Sequence, residues 1–200
     1  MLDKYDSFAQ LAAGETAGRD YRIRAVERSG SPVLVLAPHG GGIEVGTSEL
    51  AELVAGTEHS LFLFEGLKPW GSNRDLHITS HRFDHPQCLQ LSSAHAVSLA
   101  IHGCRGESHV YVGGLDVELT ALLRSRLGAA GLPTSVDGHR YPGRHPLNIC
   151  NRSARGRGAQ LEITNDLRSQ ARPVIATAVR AALADYLDCV EPARRRASCN

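Results

Sequence analysis

Two histidines and one carboxylate follow predicted strands at the points where those strands end. The apolar run of residues 33–37 leads into the segment PHGGGIE, so that His39 and Glu44 flank three glycines. A second apolar run, residues 96–101, leads directly into His102. Two imidazoles and one carboxylate form a ligand set typical of catalytic zinc, which keeps a fourth position open to water. The pattern therefore predicts a metal ion bound by these three side chains.

The glycine run between His39 and Glu44 has two interpretations. Glycine adopts positive φ without strain, so Gly40, Gly41 and Gly42 could turn the backbone sharply and bring Glu44 back toward His39. A run of glycines could instead bind a phosphate. The chain lacks both the GxxxxGK[ST] and the GxGxxG motif, so a nucleotide site is the weaker interpretation.

A third predicted strand, residues 158–164, carries Glu162 between two apolar neighbours, Leu161 and Ile163. Periodicity alone favours the polar face of an edge strand for this carboxylate. Next to a metal-activated water, however, the same carboxylate would serve as a general base. The carboxyl ends of neighbouring parallel strands meet at one edge of an α/β sheet, which would bring Glu162 close to His39 and His102.

A rival metal site is offered by His77, His81 and His85, which are spaced by four residues. On one helix the three rings would share a face and could bind a metal ion. The alternating pattern of residues 75–79 favours a strand, however, and Pro86 follows the last histidine directly. We therefore do not expect this set to be the principal site, although His81 and His85 are candidates for the wall of a substrate cleft.

The segments around these side chains alternate between strand and helix patterns. Strands are predicted at residues 33–37, 60–64, 75–79, 96–101, 109–112 and 158–164, and helices at 47–54, 115–127 and 173–188. This alternation predicts an α/β fold whose mixed, mostly parallel sheet is flanked by helices. A chain of 200 residues suits a single domain. We expect a catalytic domain over residues 1–191 and a disordered tail over 192–200.

The composition argues against several classes of protein. Lys and Arg number 22 and Asp and Glu 21, and the net charge of +1 disfavours nucleic acid or an anionic membrane as a partner. No apolar run approaches the ~20 residues of a membrane helix, and the first residues, MLDKYDSFAQLAAGE, lack the apolar core of a secretory signal. The five cysteines lack CxxC spacing, so we expect reduced thiols in the cytoplasm. No oligomeric state is predicted.

Blocks of sequence in a fixed order make the chain resemble the poly-γ-glutamate hydrolase family of bacteria and their phages. The blocks run nearly end to end and include APHGGGIEVGTSELA, FEGLK, LHITS, IHGC, YVGGLD, NICNR and GAQLEIT. The resemblance implies a fold like that of the zinc carboxypeptidases. It also implies a zinc-dependent, endo-acting hydrolase that cuts the γ-linked amide bonds of poly-γ-glutamate. Two roles stay open: a phage enzyme released at cell lysis that clears a capsule, or a bacterial enzyme of polymer turnover.

The resemblance also assigns roles to individual residues. His39, Glu44 and His102 become the ligands of one zinc ion, and Glu162 becomes the catalytic carboxylate. A polyanionic substrate needs cations at fixed places, and the guanidinium group suits carboxylates because it can bind them with two hydrogen bonds. The candidates for substrate binding are Arg152, then Asn151 as an amide donor, and further Arg168, Arg74, Arg82 and His81.

Two other functions would use the same residues. A zinc amidase or deacylase acting on a small N-acyl amino acid would need a closed pocket, whereas a polymer needs an open cleft. A non-catalytic zinc-binding protein would have no use for Glu162. The presence of this carboxylate therefore favours an enzyme.

Overall fold

The central strands of the sheet are buried on both faces, as their continuous apolar runs predict. The computed structural model describes residues 3–197, with side chains described up to residue 190. Seven strands form one sheet in the order β1-β3-β2-β4-β7-β5-β6. In chain order they are β1 (Tyr21–Val26), β2 (Val33–Gly41), β3 (Ser60–Gly66), β4 (Val97–Cys104), β5 (Val110–Gly114), β6 (Thr134–Ser135) and β7 (Ala159–Thr164).

The strands run in both directions, but the middle of the sheet is parallel. β3, β2, β4 and β7 run parallel to one another. The strand β1 is antiparallel to β3, and β5 is antiparallel to β7, while β6 is parallel to β5. The predicted fold class, a single α/β domain with a mixed, mostly parallel sheet flanked by helices, is confirmed.

Helices cover both faces of the sheet. They are α1 (Phe8–Gly14), α2 (Thr47–Ala55), α3 (Pro86–Ala94), α4 (Val117–Ala129), α5 (Asn165–Gln170) and α6 (Arg172–Ala197). The side chains of Val33, Val35 and Ala37 in β2 join the core that contains α2, α4 and α6. Leu34 and Leu36 of the same strand join a second core that contains α1 and α3. Because side chains alternate between the faces of a strand, β2 contributes to both cores.

The predicted strand at residues 75–79 is wrong. A short 3₁₀ helix spans Asn73–Leu76, and the chain then continues without regular structure. Leu76 and Ile78 are buried in the core shared with α1 and α3. Their alternation with polar residues therefore reflects burial of one side of an irregular segment. It does not reflect a place in the sheet.

The sequence patterns miss the edge strand β1, whose alternating residues include two arginines. Arg22 and Arg24 each donate a hydrogen bond of 2.7 Å to the carboxylate of Glu65 on the neighbouring strand β3. Charged side chains are a common feature of edge strands, because they discourage pairing with other chains. An edge strand of this kind lacks the apolar run that identifies a buried strand.

The last helix is longer than its apolar pattern predicts. Helix α6 has Pro173 in its first turn, as expected, and extends beyond residue 188 to Ala197. Of the predicted tail, residues 192–197 belong to this helix and residues 198–200 lie outside the described residues, and the domain boundary at residue 191 stays a prediction. None of the described helices combines the length and the apolarity that crossing a bilayer requires.

Candidate metal centre

Parallel pairing brings the ends of three strands to one edge of the sheet. β4 lies between β2 and β7 and runs parallel to both. In the register of β4 with β7, His102 lies directly opposite Glu162, so the two side chains project from the same face of the sheet. His39 lies near the carboxyl end of β2, which finishes at Gly41. The ends that carry the predicted site residues therefore meet.

Donor atoms of His39, Glu44 and His102 lie within 4 Å of one another. His39 Nδ1 is 3.3 Å from Glu44 Oε1 and 3.1 Å from His102 Nδ1. His102 Nδ1 is 3.9 Å from the second carboxylate oxygen, Glu44 Oε2. In a tetrahedral zinc site with bonds of about 2.0 to 2.2 Å, neighbouring donor atoms lie about 3.4 Å apart. The donor types suit zinc, and the separations from His39 Nδ1 lie close to this value, whereas the separation between His102 and Glu44 is longer.

The turn after β2 holds Glu44 against His39. The Glu44 N–H donates to the carbonyl oxygen of His39 at 2.9 Å. Of the three glycines between them, Gly41 alone has a positive φ, at 59°. A Cβ atom on Gly40 would lie 2.3 Å from Ser48 Oγ, so close packing against α2 is what excludes a side chain there. The expectation that all three glycines turn the backbone thus holds at one position.

The irregular segment after the 3₁₀ helix orients both imidazole rings. His39 Nε2 donates to the carbonyl oxygen of Ile78 at 2.8 Å, which leaves Nδ1 to face Glu44. His102 Nε2 lies 3.4 Å from Ser80 Oγ. A metal-binding histidine typically donates its second ring N–H to an outer partner of this kind, which fixes its tautomer and orientation. The two rings therefore have the surroundings of metal ligands.

A third histidine, His77, contacts the same cluster. Its ring centroid is 4.1 Å from that of His39, and His77, His39 and Glu44 each bring a donor atom within 4.8 Å of the others. His77 Nδ1 is hydrogen-bonded at 2.8 Å to Asp3 Oδ1, across 74 positions of the chain. The sequence patterns offer His77 only together with His81 and His85, and no local spacing links it to His39 or Asp3. His77 is a second candidate for the third ligand.

The other two histidines of the helix-spaced set lie elsewhere. The ring of His81 packs 4.8 Å from the ring of His145. The ring of His85 packs 4.2 Å from Phe8 and 5.2 Å from Phe62. Residues 77–85 contain no helix, so the spacing of four places no two of these histidines on a common helical face.

In the metal-free cluster His39 and Glu44 form an ion pair, and the ring of His102 beside them is neutral. Burial lowers the pKa of His39, but the charge of Glu44 and its hydrogen bond outweigh burial and raise that pKa above its ordinary value. Burial raises the pKa of Glu44, but His39 outweighs it and holds that pKa at about 2. Burial and the charge on His39 lower the pKa of His102 to about 3. A bound metal cation would replace the proton on His39 as the partner of Glu44.

Glu162 lies beside this cluster with an unusually high affinity for a proton. Burial, and then the negative charge of Glu44, raise the pKa of Glu162 well above its ordinary value, against the opposing charges of Arg168 and Arg140. β7 lies between β4 and β5, so Glu162 is not on the edge strand that periodicity favours. A buried carboxyl group with a raised pKa next to a metal-ligand set is a candidate for proton transfer in catalysis.

Arg168, a predicted substrate residue, is buried and bound by backbone oxygens. Its Nε donates to the carbonyl oxygen of Val45 at 2.8 Å, and a terminal nitrogen donates to that of Ile163. A Cβ atom on Gly103 would lie 2.5 Å from the guanidinium carbon, so this glycine makes room for the group. The position suits stabilisation of the buried carboxylates, and a contact between Arg168 and substrate stays a prediction.

Asn151 is buried as well, and its amide holds the long loop that precedes β7. The amide nitrogen donates to the carbonyl oxygens of Gly143 and His145, at 2.8 and 3.0 Å. The amide oxygen accepts from the backbone N–H of Leu115 at 3.1 Å. These bonds give Asn151 a role in fixing the loop, and its predicted contact with substrate is untested.

The remaining predicted substrate residues differ in how their charges are balanced. Arg152 is partly exposed, and its guanidinium makes no ion pair within the described part of the chain. Arg82 is bonded to Asp3 at 2.6 Å and to a second carboxylate, so its charge is already neutralised. Arg74 and His81 are exposed. Contacts of these residues with substrate stay predictions.

Comparison with known proteins gives one consistent family. The sequence matches the family described as poly-gamma-glutamate hydrolase over residues 5–181. The structure of a bacteriophage poly-gamma-glutamate hydrolase superimposes with a TM-score of 0.90 at 35% identity, covering 94% of this chain and 100% of that chain. The zinc-free structure of YndL superimposes with a TM-score of 0.82 at 37% identity, covering 94% and 98% of the two chains.

Two of the similar proteins from Bacillus subtilis (strain 168) are longer than this chain. The SPbeta prophage-derived UPF0714 protein YoqZ is 41% identical over 171 residues, which are 84% of this chain and 61% of YoqZ. The UPF0714 protein YndL is 42% identical over 170 residues, which are 83% of this chain and 66% of YndL. The chain therefore spans less than two thirds of the length of these relatives.

Proposed function

Since the chain belongs to the poly-gamma-glutamate hydrolase family, we propose that it is a zinc-dependent hydrolase that cuts γ-glutamyl amide bonds within poly-γ-glutamate. The observation that carries this proposal is the convergence of His39, Glu44 and His102 at one end of the sheet, with Glu162 opposite His102. The phage protein of similar structure is named as a hydrolase of this polymer. The YndL structure, described as zinc-free, supports zinc as the metal.

The protein side of the metal site would consist of His39, Glu44 and His102, which hold one zinc ion. Zinc at such a site acts as a Lewis acid, which polarises a carbonyl group and makes a water molecule more acidic. The ion pair between His39 and Glu44 keeps two of the donors in contact before metal binding. The hydrogen bond from the Gly103 N–H to Glu44 Oε2, at 2.7 Å, fixes the carboxylate further.

Glu162 carries the proton transfers of the reaction. It takes a proton from the attacking water, whose oxygen forms a bond to the carbon of the amide. It then gives this proton to the nitrogen of the leaving amine as the carbon–nitrogen bond breaks. The acid formed at the carbon then passes its own proton to the amine, so the products are a carboxylate and an ammonium ion, and atoms and charges balance. A carboxyl group must change its protonation state twice in this cycle, which the raised pKa of Glu162 favours.

The surroundings of Glu162 also weigh against a purely structural zinc protein. A carboxylate partly buried beside a second carboxylate, Glu44, lowers the stability of the fold, because both burial and repulsion disfavour its charge. No ion pair of Glu162 within the described residues offsets this cost. Unfavourable arrangements of this kind are typical of catalytic sites.

The proposal is tested by following the chain length of poly-γ-glutamate with purified, zinc-loaded protein. We expect the polymer to shorten by internal cuts, and chelation of zinc to stop the reaction. Parallel samples receive α-linked polyglutamate and a small N-acyl amino acid. Intact polymer alongside a cleaved N-acyl amino acid would support the small-molecule amidase instead. If neither substrate is cut by a sample of verified zinc content, the enzymatic proposal is wrong.

An outer carboxylate, Asp3, holds the segment that orients the two histidine ligands. Its oxygens bond His77 Nδ1 at 2.8 Å, the Thr79 N–H at 2.7 Å and the Arg82 guanidinium at 2.6 Å. Ile78 and Ser80, which contact the ligand rings, belong to the same segment. Asp3 therefore supports the metal site through positions that themselves touch the ligands.

Replacing Asp3 with asparagine should lower zinc affinity by about 10-fold, the lower end of the effect of losing an outer partner of metal ligands, because Asp3 acts on the ligand rings through the segment that carries Ile78 and Ser80. Affinity is measured by competition with a chromophoric chelator. Asp6→Asn serves as the control, since Asp6 is exposed and also pairs with Arg82. Equal zinc affinity in Asp3→Asn and the unaltered protein would exclude this role.

A further inference from the structure

Beyond Glu162, the sheet continues into a cluster of aromatic side chains that belongs to none of the predicted sites. Tyr111 of β5 lies directly opposite Glu162 of β7, so both side chains project from the same face of the sheet. The ring of Tyr141 lies 5.4 Å from that of Tyr111. Glu162 therefore has His102 on one side, in β4, and these rings on the other side, starting with Tyr111 in β5.

A guanidinium group is attached to the end of this cluster. Arg140 Nε donates to Tyr141 Oη at 2.9 Å, and the guanidinium carbon lies 5.1 Å from the centre of the Tyr141 ring. Stacking on an aromatic ring and one hydrogen bond fix the plane of the group. Since guanidinium has five N–H donors, most of them stay available to a further acceptor.

The charge of Arg140 is not balanced by an acidic side chain within the described residues. The neighbouring Arg144, in contrast, pairs with Asp137 at 3.0 Å. Arg140 is exposed, and through its stacking on Tyr141 it joins the ring cluster that begins at Tyr111, directly opposite Glu162. An unpaired, oriented cation beside the proposed general base is suited to an anionic group of the substrate.

The loop that carries Arg140 is held at a fixed distance from β5 and β7. The Gly114 N–H donates to the carbonyl oxygen of Pro142 at 2.9 Å, and Gln160 Nε2 donates to that of Tyr141 at 3.3 Å. A Cβ atom on Gly113 would lie 2.6 Å from the carbonyl oxygen of Tyr141. The loop therefore packs directly on the backbone of β5, and the position of Arg140 is set by the sheet.

We infer that Arg140, stacked on Tyr141, binds the free α-carboxylate of a glutamyl unit next to the bond that is cut. The inference rests on the proposed function, because a γ-linked chain leaves one α-carboxylate free on every unit. An α-linked chain carries its free carboxylates on flexible side chains instead. A fixed guanidinium beside Glu162 thus distinguishes the two linkages by the distance between the carboxylate and the scissile amide.

The test uses two short γ-linked oligomers, one with free α-carboxylates and one with these groups converted to amides. Binding is measured by calorimetry on zinc-loaded Glu162→Gln protein, which keeps the oligomer intact, with and without Arg140→Gln. We expect Arg140→Gln to weaken binding of the carboxylate oligomer by about 10- to 100-fold, the range for hydrogen bonds to charged groups. Binding of the amide oligomer should stay unchanged. Arg140→Lys should restore part of the difference.

Arg144→Gln is the matched control, because it removes an arginine from the same loop and should leave binding of both oligomers unaltered. Equal loss for both oligomers, or no loss for the carboxylate oligomer, would overturn the role of Arg140. In the active protein the same oligomers report on cleavage. Binding that depends on Arg140 but leads to no cleavage would reject the hydrolase proposal and retain the carboxylate site.

Discussion

Glu162→Gln should lower kcat/KM for poly-γ-glutamate by about 10²- to 10⁴-fold, the usual contribution of a general base, while zinc stays bound. Glutamine has nearly the same shape but accepts no proton from water. Initial rates, zinc content and thermal unfolding are measured on the same samples. A variant that keeps a tenth or more of the activity would show that another group takes the proton.

The same substitution should stabilise the metal-free protein, and more so as the pH rises. The folded-state pKa of Glu162 is raised above its unfolded value by burial and by Glu44. A raised carboxyl pKa favours folding below the unfolded value, roughly 4.3, and this contribution is lost as pH rises toward the folded value. Glutamine does not ionise, so the stability gain should be larger at pH 7 than at pH 5. A constant gain across this range would contradict the cited shift.

Replacing His102 with alanine should abolish tight zinc binding, whereas replacing His77 should only weaken it. His102 Nδ1 lies 3.1 Å from His39 Nδ1, and the ring is neutral because its pKa is lowered to about 3. His77 is engaged by Asp3 through Nδ1 and stacks on His39. We expect His102→Ala to reduce affinity well beyond the about 100-fold cost of losing an outer partner.

To decide whether His102 or His77 is the third ligand, zinc content is measured after dialysis and zinc affinity by competition with a chelator. His145→Ala serves as the control for removal of a histidine outside the cluster. If His77→Ala loses zinc and His102→Ala retains one equivalent, the third ligand is His77. In that case His102 would be an outer partner of His39.

The strand ends were predictable because they depend on local sequence. A parallel strand buried on both faces requires an unbroken apolar run, so the run before His39 and the run before His102 identify two such strands. The convergence of their ends then follows from the general geometry of α/β sheets. The glycines pointed to a turn, although only Gly41 takes a positive φ.

The parts of the site that sequence patterns missed depend on contacts between distant positions. His77 reaches the cluster from an irregular segment, although the alternation of apolar and polar residues in that segment is typical of a strand. Its partner Asp3 lies 74 positions away. Arg140 is one of many arginines in a long loop. What distinguishes it is the position of its partner ring, Tyr141, next to Tyr111 opposite Glu162, which depends on the pairing of β5 with β7 and has no local signal. The candidates chosen from sequence, Arg168 and Asn151, are instead buried among backbone groups.

The place of β7 in the sheet also determines when the site can first exist during synthesis. Glu162 lies late in the chain but is next to His102 in the register of β7 with β4. A growing chain that has emerged only as far as β4 carries the metal donors His39, Glu44 and His102 but not the proposed base. Such a nascent chain could capture an ion early and would still be inert toward an amide bond. The proposed base therefore joins the metal donors only when β7 enters the sheet between β4 and β5.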